Sequence, residues 1–190
     1  MKIVGLQSKL TCIFVRMKPL ILLLLFLGLG MSQPEAKDFA NRPYHVQDDL
    51  VWYSDFFKAQ ELSKASKKPI FAFFTGSDWC GWCHKLQREV FAKPAFKEWA
   101  QKNVVLLELD FPRYKQLPAE IAQQNQSLQQ QFQVQGYPTI WMFFANQDPK
   151  TKQVNLAPMG SLGYPAGAEK GKEEVKFLAD ANAILAKKGK

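Results

Sequence analysis

Two cysteines three positions apart, in Cys80-Gly81-Trp82-Cys83, are the residues of this chain best suited to chemistry. They follow an apolar run, Ile70-Phe71-Ala72-Phe73-Phe74, and a turn, Thr75-Gly76-Ser77-Asp78-Trp79. A strand that ends at a Cys-x-x-Cys opening a helix makes a redox site. The first helical turn offers backbone N–H groups without intrahelical acceptors and the positive end of the helix dipole, so a thiolate there is stabilised and its pKa falls. Cys80 is then the nucleophile. Cys83, one turn on along the same side, can attack a mixed disulfide at Cys80 and release the bound partner. Because Cys83, Leu86 and Val90 share one helical face, Cys83 is expected to be buried and Cys80 to sit at the exposed tip.

The chain has three cysteines, and the third, Cys12, lies in a segment patterned as a secretory signal. The eleven residues Leu20 to Gly30 are an apolar core behind Lys2, Lys9, Arg16 and Lys18, with small Gly30 and Ser32 near a cleavage point. That core is shorter than the roughly 20 residues a spanning helix needs, so contact with a membrane is expected only through an uncleaved signal. Met17 would open a compact signal as well as Met1 does. Residues 1–32 are therefore read as signal, residues 33–49 as a loose leader and residues 50–190 as one domain, with the protein periplasmic or secreted. Four of the 25 Lys and Arg and none of the 17 Asp and Glu precede Gln33, which leaves +4 on the chain from there on. So small an excess gives no reason to expect a nucleic-acid partner, and Lys187, Lys188 and Lys190 read as a solvated tail.

The two cysteines need elements to hold them. Leu50 to Tyr53 reads as a short extended piece, and Ser54 as the cap of a helix carrying Phe56, Ala59 and Leu62. Ile70 to Phe74, apolar on both faces, is a central parallel strand. Pro94 breaks or kinks the helix after the cysteines, and Phe96, Trp99 and Ala100 continue an amphipathic stretch. Val104 to Asp110 is the second central strand. Gln123 to Gln131 forms a short helix through Leu128 and Phe132, Thr139 to Ala145 a third strand, and Gln153 to Leu162 an antiparallel edge strand interrupted by Pro158 and Gly160. Val175, Leu178, Ile184 and Leu185 mark a closing helix. In Val134-Gln135-Gly136-Tyr137-Pro138-Thr139 the proline stands directly before a strand, where a cis bond is expected.

With Trp79-Cys80-Gly81-Trp82-Cys83 after a strand and Gly136-Tyr137-Pro138-Thr139 before another, the sequence resembles the thioredoxin superfamily over about Leu50 to Lys187. It looks most like secreted bacterial thioredoxin-like proteins and the periplasmic thioredoxin-like domains of membrane disulfide reductases. The resemblance implies an α/β protein with the thioredoxin fold, a central mixed β-sheet flanked by helices. It further implies a Cys80–Cys83 disulfide, with Cys80 attacking and Cys83 resolving. Trp79, Gly81, Trp82, Tyr137 and Pro138 would receive an extended substrate segment. The activity implied is that of a monomeric protein disulfide oxidoreductase working in the reducing or isomerising direction. It would need no cofactor or metal, its substrates would be protein thiols and disulfides, and a redox partner would recycle it.

The chain departs from that family in one respect. Where thioredoxins carry a buried carboxylate in the strand before the cysteines, this sequence has Phe73 or Phe74. The proton of Cys83 must therefore go to another group. Asp78 is a candidate, although a turn or helix-entry role suits it better, and His84 is a candidate modulator of the pair. Gly-Trp between the cysteines matches neither strong reductants nor strong oxidants, so an intermediate potential is expected. Cys80-Gly81-Trp82-Cys83-His84 is formally also a haem attachment motif, but the only other histidine, His45, falls in the leader, and the strand-and-proline context is left unexplained by a cytochrome. Structural zinc would need a second Cys or His pair. A non-catalytic binding module with a structural disulfide is the remaining alternative.

Overall fold

Tyr44–Gln47, expected to be leader, forms strand β1 and pairs antiparallel with β2, Leu50–Tyr53. The turn between them is Asp48-Asp49, with φ of 52° and 63°. A two-residue hairpin turn of the primed kind needs positive φ at both positions, which Asp tolerates better than most residues. The computed structural model describes residues 44–187; the expected signal and the rest of the leader lie outside the described residues, as do Lys188 and Lys190.

Helix α1, Phe56–Ser66, is capped by Asp55 rather than Ser54: the Asp55 carboxylate accepts from the N–H groups of Phe57 and Lys58. A carboxylate at this position meets two orphan donors and the dipole together, which a hydroxyl does less well. Strand β3, Ile70–Thr75, is buried along its whole length. It runs parallel to β4, Val105–Asp110, and antiparallel to β5, Thr139–Gln147. Helix α2, Gly81–Leu86, continues into a π-helical turn, Gln87–Phe91, before α3 begins with Pro94 in its first turn and runs to Asn103. Helix α4, Ala119–Gln131, starts four residues earlier than expected. Strand β6, Val154–Leu162, pairs antiparallel with β5, and the register slips between Met142 and Phe143, opposite Gly160 and Pro158. Helix α5, Glu173–Ala186, closes the fold.

The sheet order is β1-β2-β4-β3-β5-β6. Side chains alternate across the strands and divide the core. On one face Trp52, Phe71, Phe73 and Leu106 pack with residues of α2, the π turn, α3 and α5. On the other, Ile70, Ala72, Phe74 and Leu107 pack with Phe56 of α1 and Leu128 of α4. The π turn lets both Val90 and Phe91 point inward, and Phe91 stacks on Phe96 at 4.6 Å and meets Phe73 edge-on at 5.1 Å. Along α5 the buried residues are Phe177, Ala181 and Ile184, whereas Val175 is exposed. The apolar face follows 177, 181 and 184, a phase that the run of mostly apolar residues from Val175 to Leu185 hides. No helix among the described residues is long and apolar enough to cross a membrane.

Candidate active site

The turn between β3 and α2 brings Cys80 to the helix entrance. Cys80 is the N-cap: its backbone is extended, its N–H donates to Gly76 O at 2.8 Å, and its Sγ accepts the Cys83 N–H at 3.2 Å. An N–H aimed at sulfur from the first turn of a helix favours negative charge on that sulfur. Sγ of Cys80 and Sγ of Cys83 are bonded to each other, 2.02 Å apart. Cys83 is fully buried. Cys80, expected at an exposed tip, is only 5 % exposed, because it joins the aromatic cluster whose margin is formed by Trp79, Tyr137 and Tyr164.

The turn is stitched to the segment after β4. Asp78 accepts from the N–H groups of Arg113, Tyr114 and Lys115 at 2.8 to 3.2 Å. Burial pulls its pKa upward, but these backbone donors outweigh it and hold the carboxyl below the usual range. Asp78 is therefore the anchor of a loop, as its turn position suggested, and its oxygens are occupied. Asp110, at the end of β4, takes the Ser77 N–H at 2.8 Å, the Ser77 hydroxyl at 2.6 Å and the Lys115 ammonium at 2.9 Å. Trp79 donates its indole N–H to Phe111 O at 2.8 Å, and the Arg113 guanidinium lies 3.8 Å over its ring. Gly76 has to be glycine, since a Cβ there would collide with the Trp79 indole. His84 Nε2 donates to Ser77 O at 2.8 Å, so it braces the same turn from the exposed side of α2.

Around the disulfide, a Cβ on Gly81 would meet no atom within 4 Å, so the approach over the first helical residue is open. Trp82 is 57 % exposed and meets Tyr164 edge-on at 5.0 Å, with the Lys85 ammonium 4.9 and 4.8 Å from the two rings. The Tyr164 hydroxyl donates to Glu89. The Tyr137–Pro138 bond is cis. Tyr137 stacks on Phe111 at 5.1 Å and meets Trp79 edge-on at 5.9 Å, and its hydroxyl accepts from Gln129 at 2.8 Å. Burial pushes that phenol up to about 12. The structure thus gathers Asp78, Trp79, Gly81, Trp82 and His84 on the turn and helix of the two cysteines and packs Tyr137, which precedes cis Pro138, against the same cluster. Sequence reasoning passed over Tyr164, Lys85, Arg113 and Asp110. Asp110 alone left a trace, as a carboxylate ending a buried strand just before Pro112.

A disulfide at a helix entrance, a cis-proline at the start of a neighbouring strand and a mixed sheet with helices on both faces define a thioredoxin-type thiol–disulfide oxidoreductase. The chain belongs to the Thioredoxin-like domain family, whose profile matches residues 56–154. Among characterised proteins it is 37 % identical over 116 residues to the disulfide bond reductase DsbH of Chlamydia pneumoniae, a match covering 61 % of this chain and 69 % of that one. It is 27 % identical over 180 residues to the thioredoxin-related protein DsbJ of the same organism, covering 95 % of this chain and 48 % of DsbJ. A solved structure of a DsbH oxidoreductase superposes with a TM-score of 0.57 at 27 % identity, covering 83 % of this chain and 92 % of that one.

Proposed function

We propose that this protein reduces disulfides of other proteins outside the cytoplasm, using Cys80 and Cys83 as its dithiol. The observation that carries the reading is the Cys80 Sγ held as helix cap on the Cys83 N–H under an open approach at Gly81. In the dithiol form the Cys80 thiolate attacks a substrate disulfide, one substrate sulfur leaves as thiolate, and a mixed disulfide forms. Cys83 then attacks Cys80 Sγ, closing the Cys80–Cys83 bond and releasing the second substrate thiolate, so two electrons pass to the substrate. An external dithiol must restore the reduced pair. The similarity to a protein named disulfide bond reductase supports the reducing direction. The basic, apolar pattern of residues 1–32 supports export.

The reduction potential of the Cys80/Cys83 pair tests the direction. A value between about −270 and −200 mV is expected, and one near −120 mV, the range of a dedicated oxidant, would overturn it. A pair that no dithiol donor reduces would mark a structural bridge in a binding module instead. Fractionation of cells making the full chain with a C-terminal tag tests the location, and recovery of unprocessed protein with the cytosol would refute it.

A further inference from the structure

Two tryptophans flank Cys80, and each carries a cation. Trp79 precedes it in the turn and has the Arg113 guanidinium 3.8 Å over its ring, while Trp82 follows it in α2 and has the Lys85 ammonium 4.9 Å from its ring. A cation on an indole face is held by the ring quadrupole and still presents its other N–H groups outward. The two cations differ in how far they are satisfied. Lys85 stands 3.9 Å from Glu89, which also accepts from the Tyr164 hydroxyl. Arg113 is exposed, and its guanidinium pairs with no carboxylate among the described residues.

The carboxylates of the same region are already engaged. Asp78 accepts from three backbone N–H groups, and Asp110, its side chain 8 % exposed, from Ser77 and Lys115. Acceptors are thus used up within the protein, and donors are left at the surface beside the cysteines. A guanidinium is a planar fork that takes a carboxylate through two parallel N–H groups. The backbone of Arg113 sets where that fork stands, since its N–H donates to Asp78 at 3.0 Å. Packed against Trp79, the side chain has given up rotamer freedom before a partner arrives, so less entropy is lost on binding. Trp79 is joined directly to Cys80, which places a carboxylate held by Arg113 beside the open approach over Gly81.

We infer that Arg113, with Lys85 as a second cation, receives carboxylates of the incoming segment and selects protein disulfides whose cysteine lies among acidic residues. The inference rests on the dithiol activity proposed above and names the substrate class of that same site. Exposed tryptophan and open backbone at Gly81 accept any extended chain, so they give affinity without choice. The two cations supply the choice. An acidic flank gains charge-assisted hydrogen bonds, and a basic flank meets like charge on both sides of the disulfide.

Three peptides differing only in the residues around one cysteine, aspartate, asparagine or lysine, are each joined through a disulfide to 2-thiopyridine, whose release is read by absorbance. The reduced full chain is mixed with each, and every rate is divided by that of dithiothreitol with the same peptide, which removes intrinsic reactivity. The wild type is expected to react about tenfold faster with the aspartate peptide than with the asparagine one, and slowest with the lysine one. Raising the salt concentration should shrink the spread. Arg113→Gln is expected to remove most of the aspartate-to-asparagine ratio. Arg113→Lys should keep part of it, because one ammonium replaces a two-pronged fork, and Arg113→Glu should favour the lysine peptide. Equal rates for the three peptides in the wild type, with 2,2′-dithiodipyridine still reduced, would overturn the inference while the dithiol reading stands. A wild type that reduces neither the peptides nor that small uncharged disulfide would overturn both. Arg113→Gln slowing every substrate by one factor, 2,2′-dithiodipyridine included, would place the effect on the Cys80 thiolate and overturn recognition by Arg113.

Discussion

Glu108→Gln should make the protein more resistant to unfolding as the solution becomes more alkaline, relative to the wild type. The Glu108 carboxyl moves from an ordinary 4.5 to about 7 in the fold because burial disfavours its charge and Asp110 repels it. A group raised in this way contributes stability that is fully present below its unfolded value and is lost as pH climbs through its folded one. The window is therefore from about 4.5 to about 7. At 1.36 kcal/mol for each factor of ten, the gap amounts to about 3 kcal/mol lost by the wild type across that range and not by glutamine, which stays neutral. Urea unfolding of both disulfide-form proteins at pH 4.5, 6, 7 and 8 measures it, since titrations common to the two cancel in the difference. The difference in unfolding free energy should grow by about 3 kcal/mol toward pH 8 in favour of the variant. A flat difference, or one that shrinks with pH, would show that His45 and Glu108 form a stabilising ion pair and that the desolvation argument is wrong.

Three other outcomes follow from the same geometry. Cys83→Ser should accumulate mixed disulfides at Cys80, visible as slower bands on non-reducing gels, and in the reduced wild type Cys80 should be alkylated before the fully buried Cys83. Equal labelling would count against the assigned roles. Gly76→Ala forces a methyl against the Trp79 indole and should cost about 1–3 kcal/mol in chemical unfolding, with a shift of tryptophan emission. Trp82→Ala, which removes a ring 57 % exposed beside Tyr164, should leave the melting temperature within about a degree or two of the wild type. The same change should slow exchange with protein disulfides, measured by insulin turbidity.

The order of strands and helices was legible because the strong signals are local. An all-apolar Ile70–Phe74 fits only a strand covered on both faces, and Cys-x-x-Cys with Tyr-Pro-Thr marks the ends of two such strands. The hairpin of β1 and β2 escaped because Asp48-Asp49 lacks the glycine that usually signals a tight turn. The cap at Asp55 and the phase of α5 were missed for a related reason: neighbouring positions were chemically eligible, and tertiary packing chose between them. The two cysteines that bond to each other could be named from spacing alone. The polar groups around them could not, since Asp110 and Tyr164 reach the site from distant segments and only tertiary packing brings them there. Cys80 was misplaced as exposed because helix geometry sets where a cap begins, whereas Tyr137 and Tyr164, which help to enclose it, come from two other stretches of chain.

That enclosure governs how the protein keeps its electrons. With Cys80 5 % exposed and Cys83 fully covered, a small thiol diffusing past finds little sulfur to strike, whereas a partner laid over Gly81 delivers its own sulfur in line. Leakage to the surrounding thiol pool is thus expected to be slow compared with exchange across a docked surface. The pair should then behave as an insulated contact: its oxidation state would record which partner it last met, and the ambient redox poise would write over that record only gradually.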